Sequence, residues 1–221
     1  MSILSAVIVP AAPALLPGLG GAADPLADLR ERARDLVART VGSAKGDPRL
    51  VIVGAGNETR AWPTHAPSGA ARFTTGRVPD GALPTDLEIG RVLAPSTGGE
   101  LALQSVAADA SPAECAALGQ ELSAGRATIL LVVADGPATL TEKAPGHLQP
   151  DAARVAQDLA GAMAGADAAA LADLDPVTCD RLWMRGRSAL QVLAGAATGL
   201  RGEVFAEESP FGVQYLLARW T

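Results

Sequence analysis

Short apolar runs that stop at proline, glycine or aspartate punctuate this chain. Between them lie stretches whose apolar residues recur every three or four positions. The first pattern predicts buried strands, the second amphipathic helices packed on them. Leu4-Ser5-Ala6-Val7-Ile8-Val9 is a β-branched run closed by Pro10, and a Pro/Gly-rich loop follows to Gly21. Asp24 then reads as an N-cap with Pro25 at the first helical position. Leu26, Leu29, Leu36, Val37 and Val41 form one helical stripe, leaving Arg30, Glu31, Arg34 and Asp35 outside it. After Asp47-Pro48, the run Arg49-Leu50-Val51-Ile52-Val53 predicts a second buried strand ending in Gly54-Ala55-Gly56.

Residues 57 to 100 are irregular, rich in Pro, Gly and Thr; so long a stretch is either a functional loop or hides short strands. Ser111-Pro112-Ala113-Glu114 is a capping box and opens a helix to about Ala124. Thr128-Ile129-Leu130-Leu131-Val132-Val133 is the strongest strand signal, ending at Ala134-Asp135-Gly136-Pro137. A loop from Thr139 to Pro150 leads to an Ala-rich helix from Asp151 to about Ala164. Asp175-Pro176 caps a further helix through Leu182 and Trp183, and Ser188 caps another over Ala189 to Ala197. Two short strand patterns flank Ser209-Pro210-Phe211-Gly212 within Gly202 to Trp220. The expected fold is α/β: a single domain over 1–221, an α/β/α sandwich around a mostly parallel or mixed central sheet.

Composition narrows the function. The chain has 221 residues, enough for one full core, and a net charge of −6 without a basic run, which argues against a nucleic-acid binder. No apolar run is long enough to span a bilayer, and the proline-interrupted opening lacks the basic start of a signal peptide, so the expected setting is cytoplasmic, away from membranes. The two cysteines, Cys115 and Cys179, lie in helical contexts and read as buried free thiols. Only two histidines are present, which limits histidine-rich metal centres.

In an open parallel sheet ligands bind beyond the carboxyl ends of the strands. Pro10 to Pro17, Gly54 to Arg60 and Asp135 to Lys143 occupy such ends. Gly54-Ala55-Gly56 is half a dinucleotide fingerprint without its third glycine or a following helix. Asn57, Glu58, Thr59 and Arg60 are either polar cleft residues or a solvated turn. Asp135 either projects a carboxylate into the cleft or bonds its own backbone in a turn. Glu142 and Lys143 either pair at the surface or act in the site. His65 and His147 read as loop residues. Glu207 and Glu208 are adjacent, so on a strand they face opposite sides. No nucleophile elbow occurs.

The order of these segments resembles the LigB-type superfamily, the catalytic chains of the class III extradiol ring-cleavage dioxygenases and their relatives. Val7-Ile8-Val9-Pro10-Ala11-Ala12-Pro13-Ala14-Leu15-Leu16-Pro17 is similar to the family's strand and P-H-P-P-L-L-x-P opening. Val51 to Gly56, Ile129 to Gly136, Glu142-Lys143-Ala144-Pro145-Gly146 and Ser209-Pro210-Phe211-Gly212-Val213-Gln214-Tyr215 follow in the order of an actinobacterial branch.

The resemblance implies an α/β sandwich and, in the active enzymes, iron(II) held by two histidines and a glutamate, with a further histidine in acid/base catalysis. This chain departs at those positions. Ala11 stands at the first histidine, Gly56 near the second, and Ala138 or Thr139 near the later one; only Glu207 or Glu208 could match the glutamate. The leading expectation is therefore a LigB-like scaffold without the iron site or ring cleavage and with no cofactor. Its strand-end cleft, with Ala11, Asn57, Glu58, Thr59, Arg60, Glu142 and Tyr215, takes a small ligand or a protein partner. The alternatives are an active divergent dioxygenase holding Fe(II) with Asp135, Glu207 or Glu208 and His147, a metal-free catalyst using Asp135 and Lys143, and a non-catalytic, homodimeric interaction subunit.

Overall fold

A computed structural model describes residues 3–94 and 99–221. In chain order the elements are β1 (Ile3–Val9), α1 (Ala27–Ser43), β2 (Arg49–Gly56), β3 (Arg60–Trp62), α2 (Thr85–Leu93), β4 (Leu101–Ala107), α3 (Pro112–Ser123), β5 (Thr128–Val133), α4 (Ala152–Gly165), α5 (Ala168–Ala172), α6 (Pro176–Arg181), α7 (Arg187–Ala196), β6 (Gly202–Glu208) and β7 (Tyr215–Trp220). Short 3-10 turns occupy Pro13–Leu15 and Ala70–Phe73.

The strands form one seven-stranded sheet in the order β3-β4-β2-β5-β1-β7-β6. Its centre, β4, β2, β5 and β1, is parallel. The flanking strands β3, β7 and β6 pair antiparallel with their neighbours. The sheet is therefore mixed, and its central strands are buried on both faces. That explains why β1, β2 and β5 read as continuous apolar runs. Alternate residues of each strand serve opposite layers. Val7, Val9, Ile52, Leu131 and Leu217 pack with Leu29, Leu36 and Leu87 of α1 and α2. Ala6, Ile8, Val51, Val53, Leu130 and Val132 pack with Cys115, Leu159, Leu190 and Trp220 on the other face. This is an α/β sandwich.

Most predicted boundaries fall within a residue or two of the observed ones; the predicted caps Asp24 and Ser188 do not hold, and α2, β4 and α5 lie where no element is predicted. Helix α1 begins at Ala27 without a side-chain cap, because both Asp24 carboxylate oxygens are taken by the Arg30 guanidinium at 2.8 Å. A two-pronged charged pair outcompetes a single capping bond. Helix α7 begins at Arg187 and Ser188 lies buried inside it. Its N-cap is Gly186, where a Cβ would come within 2.6 Å of the Ala134 side chain. The stretch 57–100 holds β3 and α2, with residues 95–98 outside the described ones. Just beyond it runs β4, whose buried Gln104 and Ser105 break the apolar run that would have announced it. Two readings match closely: the Ser111–Glu114 capping box and the Asp175 cap, which accepts the Thr178 N–H at 2.9 Å. Both cysteines are buried free thiols. No helix among the described residues is long and apolar enough to cross a membrane.

Candidate functional site

The parallel strands deliver their carboxyl ends to one edge of the sheet. There Val9 of β1 lies beside Val133 of β5, and Val133 lies beside Gly54 of β2. Just past β5 the chain turns, and Asp135 reaches sideways: its Oδ1 accepts the backbone N–H of Ala11 at 2.7 Å. Across β2 a second carboxylate does the same. Asp86, in the first turn of α2, accepts the N–H of Ala55 at 3.0 Å through Oδ2. Gly54 permits this approach, since a Cβ there would lie 2.5 Å from the Asp86 Cβ. Tyr215, the first residue of β7, is buried near enough to Asp135 to feel its charge.

Neither carboxyl has a cationic partner among the described residues, and both residues are half-buried. Burial pushes Asp86 up to about 7, against the lowering effect of the Ala55 hydrogen bond. Burial likewise pushes Asp135 up to about 8; the Ala11 bond opposes it, and the charge of Asp86 raises it further. The Tyr215 phenol is raised too, first by burial and then by the charge of Asp135. Burial is thus the main cause for both carboxyls, and the charge of Asp86 is a secondary cause for Asp135. A protonated carboxyl donates a hydrogen bond and an ionised one accepts, so the site can offer both.

The site thus unites three of the residues singled out in the sequence, Ala11, Asp135 and Tyr215, through the Ala11 amide rather than its side chain. The others lie elsewhere. Asn57, Glu58, Thr59 and Arg60 form the exposed turn between β2 and β3. There Thr59 accepts the Ala107 N–H, and Arg60 pairs with Glu58 and stacks 3.6 Å above the Trp62 ring. Glu142 and Lys143 are exposed and line an open groove of about 870 Å³ with Ser209, Pro210 and Phe211. Phe211 of that groove meets the Tyr215 ring edge-on, with centroids 6.5 Å apart. Glu207 accepts from Gln214, while Glu208 turns to the opposite face toward Arg32.

Asp86 was missed. Its only signal is an acid in the first turn of a helix that opens at Pro84-Thr85, inside a stretch that reads as loop. Iron(II) held by two imidazoles and a carboxylate does not fit these residues. Positions 11 and 56 carry no ligating atom, His65 and His147 are exposed on loops, and the His147 Nδ1 already meets the Glu142 carbonyl at 2.8 Å. Among the described residues no three His, Cys, Asp or Glu side chains converge as a metal site.

No family model matches the chain, and no curated protein is similar to it. Among solved structures, the uncharacterized protein JW3007 from Escherichia coli K12 superposes with a TM-score of 0.58 at 12% identity, covering 98% of each chain. The likeness is one of fold. It extends over nearly the full length of both chains.

Proposed function

We propose that this chain is a LigB-like scaffold protein that lacks the ring-cleaving iron site and binds a small polar ligand at the carboxyl ends of β1, β2 and β5. The order of motifs from the Val7–Pro17 opening to Tyr215 supports the family reading. The Asp86–Asp135 pair carries the binding reading: two carboxyls, each anchored on a backbone N–H, hold protons near neutrality where the strands end. Such a pair suits a ligand with neighbouring hydroxyls, which donate to the ionised carboxyl and accept from the protonated one.

The same pair favours a second reading, metal-free acid–base catalysis. Groups titrating near the working pH transfer protons most effectively, and Asp135 with Asp86 replaces the Asp135–Lys143 couple for that role. Lys143 stands in the outer groove.

The test uses anaerobic dialysis against iron(II) together with a catechol titration. The expected result is no stoichiometric iron and no ring cleavage, with catechol shifting the carboxyl carbon resonances of Asp86 and Asp135. Stoichiometric iron with oxygen-dependent cleavage of catechol would overturn the scaffold reading. Unmoved carboxyl resonances would overturn the binding one.

A further inference from the structure

On the other face of the sheet, beyond the end of β4, lies a cavity of about 560 Å³. It is bounded by Ala108 and Asp109 after β4, by α6, and by the Trp183–Arg187 turn. Arg187 is only 4% exposed, yet among the described residues no carboxylate forms an ion pair with it. Its guanidinium donates to the carbonyls of Ala108 at 2.7 Å and Ala110 at 2.8 Å, and to Gln191 Oε1 at 2.6 Å. All three acceptors are neutral, and they use three of five N–H groups. A buried charge without a countercharge is costly, so it is kept where something compensates it.

The walls say what that something looks like. Trp183 holds a positive φ of 53°, a conformation that bulky residues adopt only under tertiary constraint, and the residue, which lines the cavity, is 47% exposed. Met184 lines the interior and Val177, 76% exposed, the mouth. Asp109 and Asp180 also line it, but both are exposed, where water screens them far more than it screens Arg187.

We propose that this cavity binds a small organic anion with an apolar body, its charged group taken by Arg187 and its body lying against Trp183, Met184 and Val177. The proposal goes beyond the strand-end site and does not rest on it.

Calorimetric titration of the full chain with benzoate, benzyl alcohol and inorganic phosphate tests it. Benzoate is expected to bind one equivalent at millimolar concentration, with benzyl alcohol and phosphate each weaker by about tenfold or more. Arg187→Gln is expected to weaken benzoate by about tenfold or more, the loss expected when a buried charged contact is removed. Arg187 also ties down Ala108 and Ala110, so a second pair of variants avoids the core. At exposed Val177, Val177→Glu is expected to bind benzoate several-fold more weakly than Val177→Lys, while the two variants, which lose the same apolar contact, bind benzyl alcohol alike. The proposal is overturned by non-saturable benzoate heats, by phosphate or benzyl alcohol matching benzoate, or by the two Val177 variants binding benzoate alike.

Discussion

Asp86 and Asp135 flank the same strand ends from different elements, and the charge of Asp86 helps keep the Asp135 carboxyl protonated. One is delivered by the first turn of α2, the other by the exit of β5. Each is held by the amide of a residue at or just beyond a neighbouring strand's end, Ala55 or Ala11. The parallel centre of the sheet thus converts three strand ends into one small, proton-bearing site.

Stability should depend on pH through this pair. Both carboxyls lie above their ordinary value of 3.8, at about 7 and about 8, so the folded state binds protons more tightly than the unfolded chain. Their contribution is complete below about pH 4 and is lost as pH rises through the folded values. Urea denaturation should therefore show stability falling by at least about 2 kcal/mol between about pH 5 and about pH 9. Asp135→Asn, which keeps an acceptor for Ala11, should flatten the fall and exceed the wild type at the upper end. Paired surface acids act elsewhere: Asp151, lowered to about 2 mainly by its hydrogen bonds from Arg181, loses its contribution only in strong acid.

The coupling itself is measurable. Removing the charge of Asp86 with Asp86→Asn should lower the Asp135 titration, followed by its carboxyl carbon resonance, below about 8. It should not return to the ordinary range, because burial is the larger cause. An unchanged Asp135 midpoint would show that the two groups are independent.

The fold was readable wherever one physical signal dominated a segment. β1, β2 and β5 are buried on both faces, so their apolar runs name them directly. β4 carries Gln104 and Ser105 inward, where Ser105 ties Trp62 and the Glu58 carbonyl to the edge of the sheet, and its run is broken. Helix α2 has neither a capping side chain nor a long stripe, so Asp86 stayed hidden in an apparent loop. Asp135 was readable because it directly follows an unmistakable strand. What no local pattern could reveal was pairing at a distance. The Ala11 amide meets Asp135 only because the chain returns to β1 after 124 residues.

The capping box of α3 should carry a measurable share of stability. Ser111 Oγ accepts the Glu114 N–H at 3.3 Å, and the Glu114 carboxylate accepts the Ser111 N–H at 2.8 Å. Ser111→Ala should cost about 1 kcal/mol in urea denaturation. Ser111→Asp should recover most of it, since a carboxylate at that position also accepts from the first turn.

Two glycine-to-alanine substitutions should have opposite signs. Gly42 lies in α1 with nothing within 4 Å of where a methyl group would stand, so alanine there gains helix propensity and should stabilise by roughly 0.5–1 kcal/mol. At Gly54 the same methyl would lie 2.5 Å from the Asp86 Cβ and 3.4 Å from its backbone carbon. The start of α2 would have to back away from β2, straining the Ala55–Asp86 hydrogen bond. Gly54→Ala should therefore cost about 1–3 kcal/mol. It should also move the Asp86 carboxyl resonance, because the group leaves the place where burial holds its proton. If Gly54→Ala proves as stable as the wild type with Asp86 unmoved, the close approach of α2 to β2 is not what builds the site.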